Sequence, residues 1–207
     1  MWNKLEEMLH TYYNSFDASH DMAHVRRVYH TAMEIYRAYP EADQKRIILA
    51  VALHDVEDKK YTNGQSTQVM ELVFNEFHVS TKEQKVIREI IDQVSFSGGK
   101  EATSLEARIV QDADRLDALG AIGIARTFAY GGAKGRSLYN HEEVEAVLRG
   151  EGVANGASVT HFYEKLLHVK ERLNTDEARK IANERHLFME QFLHQFYKEI
   201  GDQPCHN

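Results

Sequence analysis

The stretch Ile47-Ile48-Leu49-Ala50-Val51-Ala52-Leu53, followed at once by His54-Asp55, decides how the rest of the chain is interpreted. Seven consecutive apolar residues leave no polar face, so they predict a buried central helix over about 41–55. A carboxylate at the end of such a helix is costly to bury unless it is paired or binds a cation. Histidine nitrogen and aspartate oxygen are suitable ligands for a borderline or hard divalent metal. The sequence therefore predicts a metal site at this helix end.

The rest of the chain has the pattern of an all-α protein. Apolar residues recur with a helical period in most segments, and no segment sustains a period of two. The glycine-rich stretch 119–140 predicts a helix that continues to Ala129 and then a mobile loop, and Gly98-Gly99 marks another loop. The other predicted helices cover about 3–15, 22–38, 66–78, 81–94, 104–118, 141–149, 158–173 and 175–200.

Composition narrows the function classes. The chain has 207 residues, of which 43% are apolar and 28% charged, as in an ordinary soluble globular protein. We expect one domain over 1–207, with a metal-binding core over about 20–120 and a helical extension over about 140–200. The net charge of −7 argues against a general nucleic-acid-binding surface, although a small anionic ligand remains compatible with it.

The sequence also predicts the compartment. No apolar stretch approaches the roughly 18–20 residues that a membrane span needs. The first residues lack the pattern of a secretory signal, and the single Cys205 rules out an internal disulfide framework. We therefore expect a cytoplasmic protein that does not interact with membranes.

Two further positions are candidate metal ligands. His24 lies in line with Val28 on one face of its predicted helix, so it can face the core. Asp112, Asp114 and Asp117 place three carboxylates in six residues at the end of an amphipathic helix, which is more acid than packing needs. A surface ion pair at helical spacing, with Arg108 or Arg115, is the alternative role for Asp112.

This ordered set resembles the H…HD…D pattern of the HD-domain metal-dependent phosphohydrolases. It is most similar to the bacterial subgroup that includes YpgQ and YedJ. The resemblance implies an HD-type helical bundle, with Asp114 rather than Asp112 as the last metal ligand, because that ligand lies in a segment like Ala113-Asp114-Arg115-Leu116. The matching stretches cover most of the chain: 20–28, 112–117, 120–135 and 160–167.

One departure from the subgroup follows the His-Asp pair. The subgroup reads like His-Asp-Ile-Gly-Asp-x-Lys-Phe, whereas this chain has His54-Asp55-Val56-Glu57-Asp58-Lys59-Lys60-Tyr61. Glu57 in place of glycine makes the stretch similar to the (p)ppGpp hydrolases, in which an acidic pair follows His-Asp. The departure leaves the substrate open.

The resemblance implies that one divalent ion activates a water for attack on phosphorus. Mixed ligands of this kind accept Mn²⁺, Mg²⁺, Fe²⁺, Co²⁺, Ni²⁺ or Zn²⁺. The roles of His20, Asp117 and the 131–136 loop stay open. The predicted metal ligands are His24, His54, Asp55 and Asp114; the predicted catalytic residues are Asp55 with Asp58 or Glu57; the predicted phosphate-binding residues are Arg27, Lys60, Arg115 and Lys134.

The favoured activity is hydrolysis of nucleotide phosphoanhydride bonds, as by a nucleoside triphosphate pyrophosphohydrolase. A nucleoside monophosphate phosphatase and a (p)ppGpp hydrolase are alternatives within the enzymes, and an RNA-directed hydrolase is weakened by the acidic charge. A non-catalytic metal- or nucleotide-binding module is the alternative from another class. The last helix, with Leu187, Phe188, Phe192 and Phe196, predicts either scaffold packing or the face of a homodimer.

Overall fold

The computed structural model describes residues 1–13, 21–56, 66–94 and 100–201. Within these ranges the regular structure is helical and no strand occurs, so the prediction of an all-α fold is confirmed. None of the helices in the described ranges is long and apolar enough to cross a lipid bilayer. The helices are α1 (Trp2–Tyr13), α2 (Met22–Tyr36), α3 (Gln44–Leu53), α4 (Ser66–Glu76), α5 (Thr81–Val94), α6 (Leu105–Leu116), α7 (Gly120–Ala133), α8 (His141–Leu148), α9 (Thr160–Glu164), a 3₁₀ helix (Leu166–Arg172) and α10 (Asp176–Ile200).

Residues Met1–Asp114 form one compact unit whose centre is α3. Helices α1, α2 and α5 pack against α3, and all seven residues from Ile47 to Leu53 are buried, as their unbroken apolar run predicts. The helix begins at Gln44 rather than near residue 41, because the Asp43 carboxylate caps it by accepting a hydrogen bond from the backbone N–H of Arg46. The Arg46 guanidinium in turn donates to both carboxylate oxygens of Glu83 on α5, at 2.9 and 3.0 Å.

Residues Arg115–Asn207 form a second compact unit, in which α10 packs against α7 and the 3₁₀ helix. Its apolar centre includes an aromatic cluster. Ring centroids in this cluster are 5.8–6.2 Å apart, and the rings belong to Phe128 of α7, Phe162 of α9, and Phe192 and Phe196 of α10.

The predicted single helix over 158–173 is wrong. The chain forms α9 and then the 3₁₀ helix, with a break at Lys165, where φ is −140° and ψ is −55°. Phe162, Leu166 and Val169 are buried as their spacing predicts. No glycine or proline lies at the break, and the apolar periodicity continues across it. The sequence therefore contains no signal of the break.

The predicted end of α7 at Ala129 is also wrong, because this helix continues to Ala133 and includes Gly131 and Gly132. A Cβ on Gly131 would lie 2.1 Å from the Ser158 Oγ, so this glycine permits close packing within the helix instead of ending it. The chain turns at Gly135, whose φ of +66° lies in the left-handed region. The predicted loop at Gly98-Gly99 lies outside the described residues.

Candidate metal centre

The first ligand candidate, His24, is positioned by the start of α2. Asp21 caps this helix, and its carboxylate accepts a hydrogen bond from the backbone N–H of His24 at 2.9 Å. The His24 side chain faces inward beside Val25 and Val28, and only 2% of the residue is exposed. The helical periodicity that predicted an inward-facing histidine is therefore confirmed.

The second and third candidates, His54 and Asp55, lie in the turn where α3 ends. The Nδ1 of His54 lies 2.8 Å from the carbonyl oxygen of Val51. Because a carbonyl oxygen only accepts, Nδ1 carries the proton and the lone pair of the ring is on Nε2. The backbone thus fixes the tautomer that a metal ligand needs.

Four side chains converge at this turn. The Nε2 atoms of His24 and His54 are 3.3 Å apart. The Asp55 Oδ2 lies 3.5 Å from the His24 Nε2 and 3.4 Å from the His54 Nε2. The Asp114 Oδ1 lies 3.4 Å from the His24 Nε2 and 3.7 Å from the His54 Nε2. The structure therefore brings together all four residues predicted as ligands, although they are far apart in the sequence.

The distances among His24, His54 and Asp55 fit the coordination shell of a single ion. With metal–ligand bonds of about 2.1 Å, two ligand atoms on one ion lie about 3.0 Å apart at an octahedral angle and about 3.4 Å apart at a tetrahedral angle. One atom each from His24, His54 and Asp55 lies within 4.8 Å of the others, so these three form a potential metal site by themselves. Asp114 is the most accessible of the four, with 23% of its side chain exposed.

Two tyrosines of α1 hold the turn that carries His54 and Asp55, and no local sequence pattern predicts these contacts. The Tyr13 hydroxyl donates to the carbonyl oxygen of Ala52 at 2.9 Å, and the Tyr12 hydroxyl donates to the carbonyl oxygen of Val56 at 2.9 Å. Burial, followed by the nearby Asp55 carboxylate, raises the pKa of Tyr13 well above its usual value. Tyr13 therefore stays a neutral hydrogen-bond donor beside the turn.

The three carboxylates near the end of α6 have different surroundings. Asp112 is completely buried, so the surface position that its alternative role assumed is wrong. The spacing of Asp112, Asp114 and Asp117 in the sequence does not show which of the three carboxylates faces inward. The packing of the helix decides this. Asp117, which belongs to the second unit, forms an ion pair with Arg126.

The predicted phosphate-binding residues are scattered. Arg27 is half-buried on α2, three residues after His24. Arg115 is buried, and its Nη1 donates to the carbonyl oxygen of Arg172, which gives it a structural contact. Lys134 is exposed at the end of α7. Four other predicted or open positions lie outside the described residues: His20, Glu57, Asp58 and Lys60.

Comparison with known proteins identifies the class. The pattern of the HD domain family matches residues 22–119, a range that contains all four converging residues. The chain is 38% identical to the uncharacterized protein YpgQ of Bacillus subtilis (strain 168) over 209 residues, covering 95% of this chain and 94% of YpgQ. The chain belongs to the HD domain family and is a metal-dependent phosphohydrolase, as the pattern H…HD…D predicted.

Solved structures agree with this assignment. An HD-superfamily hydrolase from Bacillus thuringiensis superposes with a TM-score of 0.74 at 38% identity, covering 98% of this chain and 95% of that protein. The Lin1889 protein of Listeria innocua superposes with a TM-score of 0.76 at 34% identity, covering 97% and 95%. The structure of YpgQ in complex with ADP superposes with a TM-score of 0.73 at 32% identity, covering 97% and 98%.

Proposed function

We propose that this phosphohydrolase cleaves a phosphoanhydride bond of a nucleoside triphosphate and releases pyrophosphate and the nucleoside monophosphate. The convergence of His24, His54, Asp55 and Asp114 supports the hydrolytic part of the proposal. The ADP bound to the related YpgQ supports a nucleotide as the substrate. ADP carries the same phosphoanhydride linkage that the proposed reaction breaks.

In this proposal the four converging side chains hold one divalent ion. The ion would lower the pKa of a bound water and withdraw charge from a phosphoryl oxygen. His54 contributes a neutral nitrogen whose lone pair is fixed by the Val51 carbonyl oxygen. Asp55 and Asp114 contribute negative charge that offsets the charge of the ion. Asp55 is buried, and the ion would offset the cost of burying its carboxylate.

The remaining proposed roles concern the phosphates and the attacking water. Arg27 lies three residues from His24 on α2, so the two side chains share a side of the helix. Its guanidinium is the proposed contact to the substrate phosphates. Lys60 is a further phosphate-binding candidate, and Asp58 or Glu57 is the candidate base that orients the water. Arg115 keeps the same proposed role only if its contact with the Arg172 carbonyl oxygen is released on binding.

Product identity tests the proposal directly. The purified chain is incubated with Mn²⁺ and with GTP, dGTP, ATP, (p)ppGpp or a nucleoside monophosphate, and products are separated by chromatography and ³¹P NMR. We expect pyrophosphate and a monophosphate from the triphosphates. Release of nucleoside from monophosphates would indicate a nucleoside monophosphate phosphatase instead. Hydrolysis of (p)ppGpp alone would indicate a (p)ppGpp hydrolase. If no phosphoester is hydrolysed, the chain would instead be a non-catalytic module that binds a metal or a nucleotide.

Variants tie the activity to the converging side chains. His54→Ala and Asp55→Ala should lose bound Mn²⁺, measured by atomic absorption, together with hydrolysis. Asp176→Asn is the control, because this carboxylate lies in the first turn of α10 with 86% of its side chain exposed. Full activity in the Asp55 variant would contradict the proposed mechanism.

A further inference from the structure

The second unit contains a cavity that the metal centre does not explain. Its volume is about 530 Å³, within the range of about 300–1,000 Å³ that is usual for small-molecule sites. Its walls come from the end of α7, the start of α8 and the segment before α9, and include Tyr130, Lys134, Gly135, Arg136, Glu143 and Asn155. All of these residues belong to the unit Arg115–Asn207.

Two positive charges lie together in the wall of this cavity. The Lys134 Nζ lies 5.7 Å from the centroid of the Tyr130 ring, and the Arg136 Cζ lies 5.3 Å from it. Within the described part of the chain, no carboxylate oxygen forms an ion pair with either side chain. Two like charges beside the same ring repel each other, and an anion that contacts both would offset that repulsion.

The acidic side chain in the wall is already used. The Glu143 Oε2 accepts hydrogen bonds from the backbone N–H of Ala157 at 2.7 Å and from the Thr160 hydroxyl at 2.9 Å. Asn140 caps α8, and its side-chain amide donates to the Glu143 Oε1 at 3.2 Å. Because its carboxylate already accepts these hydrogen bonds, Glu143 stabilises the wall of the cavity. The two cations can then bind a ligand.

The backbone fixes the positions of the Lys134 and Arg136 side chains. The N–H of Arg136 donates to the carbonyl oxygen of Gly131 at 2.9 Å, and the left-handed turn at Gly135 separates the two side chains. The positive surroundings also affect a neighbour, because burial and then the charges of Lys165 and Arg136 lower the pKa of His161 to about 4.

We propose that this cavity binds the phosphate group of a small anionic ligand between Lys134 and Arg136, with Tyr130 as the supporting wall. The ligand class is a phosphate, a pyrophosphate or a nucleoside diphosphate. The inference goes beyond the hydrolysis proposed above and does not depend on it, because it requires neither the divalent ion nor turnover.

Binding without metal tests the proposal. Inorganic phosphate, pyrophosphate and ADP are each titrated by calorimetry into the full chain in EDTA. We expect at least one of them to bind, and the preferred one identifies the ligand. Arg136→Met and Lys134→Met should each weaken binding about tenfold or more, the usual loss when a charge-assisted hydrogen bond is removed. Lys180→Met is the matched control, since its exposed ammonium pairs with Glu177 on α10.

Two further measurements separate this site from the metal centre and from misfolding. Asp55→Asn should keep the metal-free binding even if it loses hydrolysis. Bound ligand should also protect Lys134 of the unaltered chain from acetylation, as measured by mass spectrometry, while Lys180 stays reactive. The proposal is overturned if none of the three anions binds in EDTA, if Arg136→Met binds as tightly as the unaltered chain, or if Asp55→Asn alone abolishes binding.

Discussion

The environment of the His161 side chain disfavours its protonated form. Burial is the main cause, and the charges of Lys165 and Arg136 add to it, so that its pKa falls to about 4. The Glu164 Oε2 lies 3.8 Å from the His161 Nδ1. A histidine with a lowered pKa binds fewer protons in the folded chain than in the unfolded chain, and this makes stability depend on pH.

The resulting prediction has a definite sign. The contribution of His161 to the free energy of unfolding is full above its unfolded pKa of about 6.5, and it is lost as the pH falls from there toward about 4. With a discount for partial exposure, we expect a loss of about 1–2 kcal/mol. Urea unfolding at pH 7 and pH 5 measures it, and His161→Asn should reduce the difference. An NMR titration of His161 with a midpoint near 6.5 would contradict the prediction.

Arg136 offers a second check on the same residue. Because the Arg136 guanidinium helps to lower the pKa of His161, Arg136→Met should raise the midpoint of the His161 NMR titration. Lys180→Met changes the net charge equally but removes a charge that is not a cause of the His161 shift, so it should leave the midpoint unchanged. An equal effect of both variants would indicate a response to overall charge only.

Two adjacent glycines in α7 provide a matched pair. A Cβ on Gly131 would lie 2.1 Å from the Ser158 Oγ, whereas a Cβ on Gly132 meets nothing within 4 Å. We expect Gly131→Ala to lower the free energy of unfolding by about 1–3 kcal/mol, as overpacking does. Gly132→Ala should raise it by about 0.5–1 kcal/mol, because alanine is the better helix former. Urea unfolding of both variants measures the contrast, and equal stabilities would contradict the packing role of Gly131.

At the scale of elements, α1 supports the turn at the end of α3 that carries the candidate ligands His54 and Asp55. Tyr13 is completely buried, and its hydroxyl holds the Ala52 carbonyl oxygen close to the point where the helix ends. Tyr12 holds the Val56 carbonyl oxygen on the far side of His54 and Asp55. The two hydrogen bonds fix the backbone on both sides of the ligand pair, so they act as positioning contacts for the metal.

Removing one hydroxyl should therefore weaken metal binding as well as folding. Tyr13→Phe should cost about 1–3 kcal/mol of unfolding free energy, since it leaves the Ala52 carbonyl oxygen without this donor. It should weaken Mn²⁺ binding about tenfold or more, as loss of a supporting contact commonly does. Calorimetric Mn²⁺ titration measures this effect. Tyr36→Phe is the control, because within the described ranges its hydroxyl makes no hydrogen bond. Unchanged Mn²⁺ affinity in Tyr13→Phe would contradict the positioning role.

The elements also show what a sequence reveals and what it does not. The buried run before His54 and the inward spacing of His24 follow from apolar patterning alone, because burial of a helix face repeats every three to four residues. The contacts from Tyr12 and Tyr13 join residues 44 and 39 positions apart, so no local pattern contains them. The burial of Asp112 likewise has no local signal, because only the packing of α6 decides which of its carboxylates are buried.

For the whole molecule, metal binding and folding should be linked. The candidate ligands come from α2, from the turn after α3 and from α6, so an ion that holds all four connects segments up to 90 positions apart in the chain, from His24 to Asp114. Such an ion binds the folded chain and finds no comparable site in the unfolded chain. The folded state is then favoured in proportion to the logarithm of the free metal concentration.

This linkage gives the last prediction. At a free Mn²⁺ concentration of about one hundred times Kd, the folded chain gains about 2.7 kcal/mol. For a chain of this size, that gain corresponds to a rise in Tm of about 5–10 °C. Differential scanning calorimetry over a series of Mn²⁺ concentrations measures the rise, with EDTA-treated protein as the reference. Asp55→Asn should show little or no rise, while Asp176→Asn should behave like the unaltered chain. An equal rise in Asp55→Asn would place the stabilising ion somewhere other than at the four converging side chains.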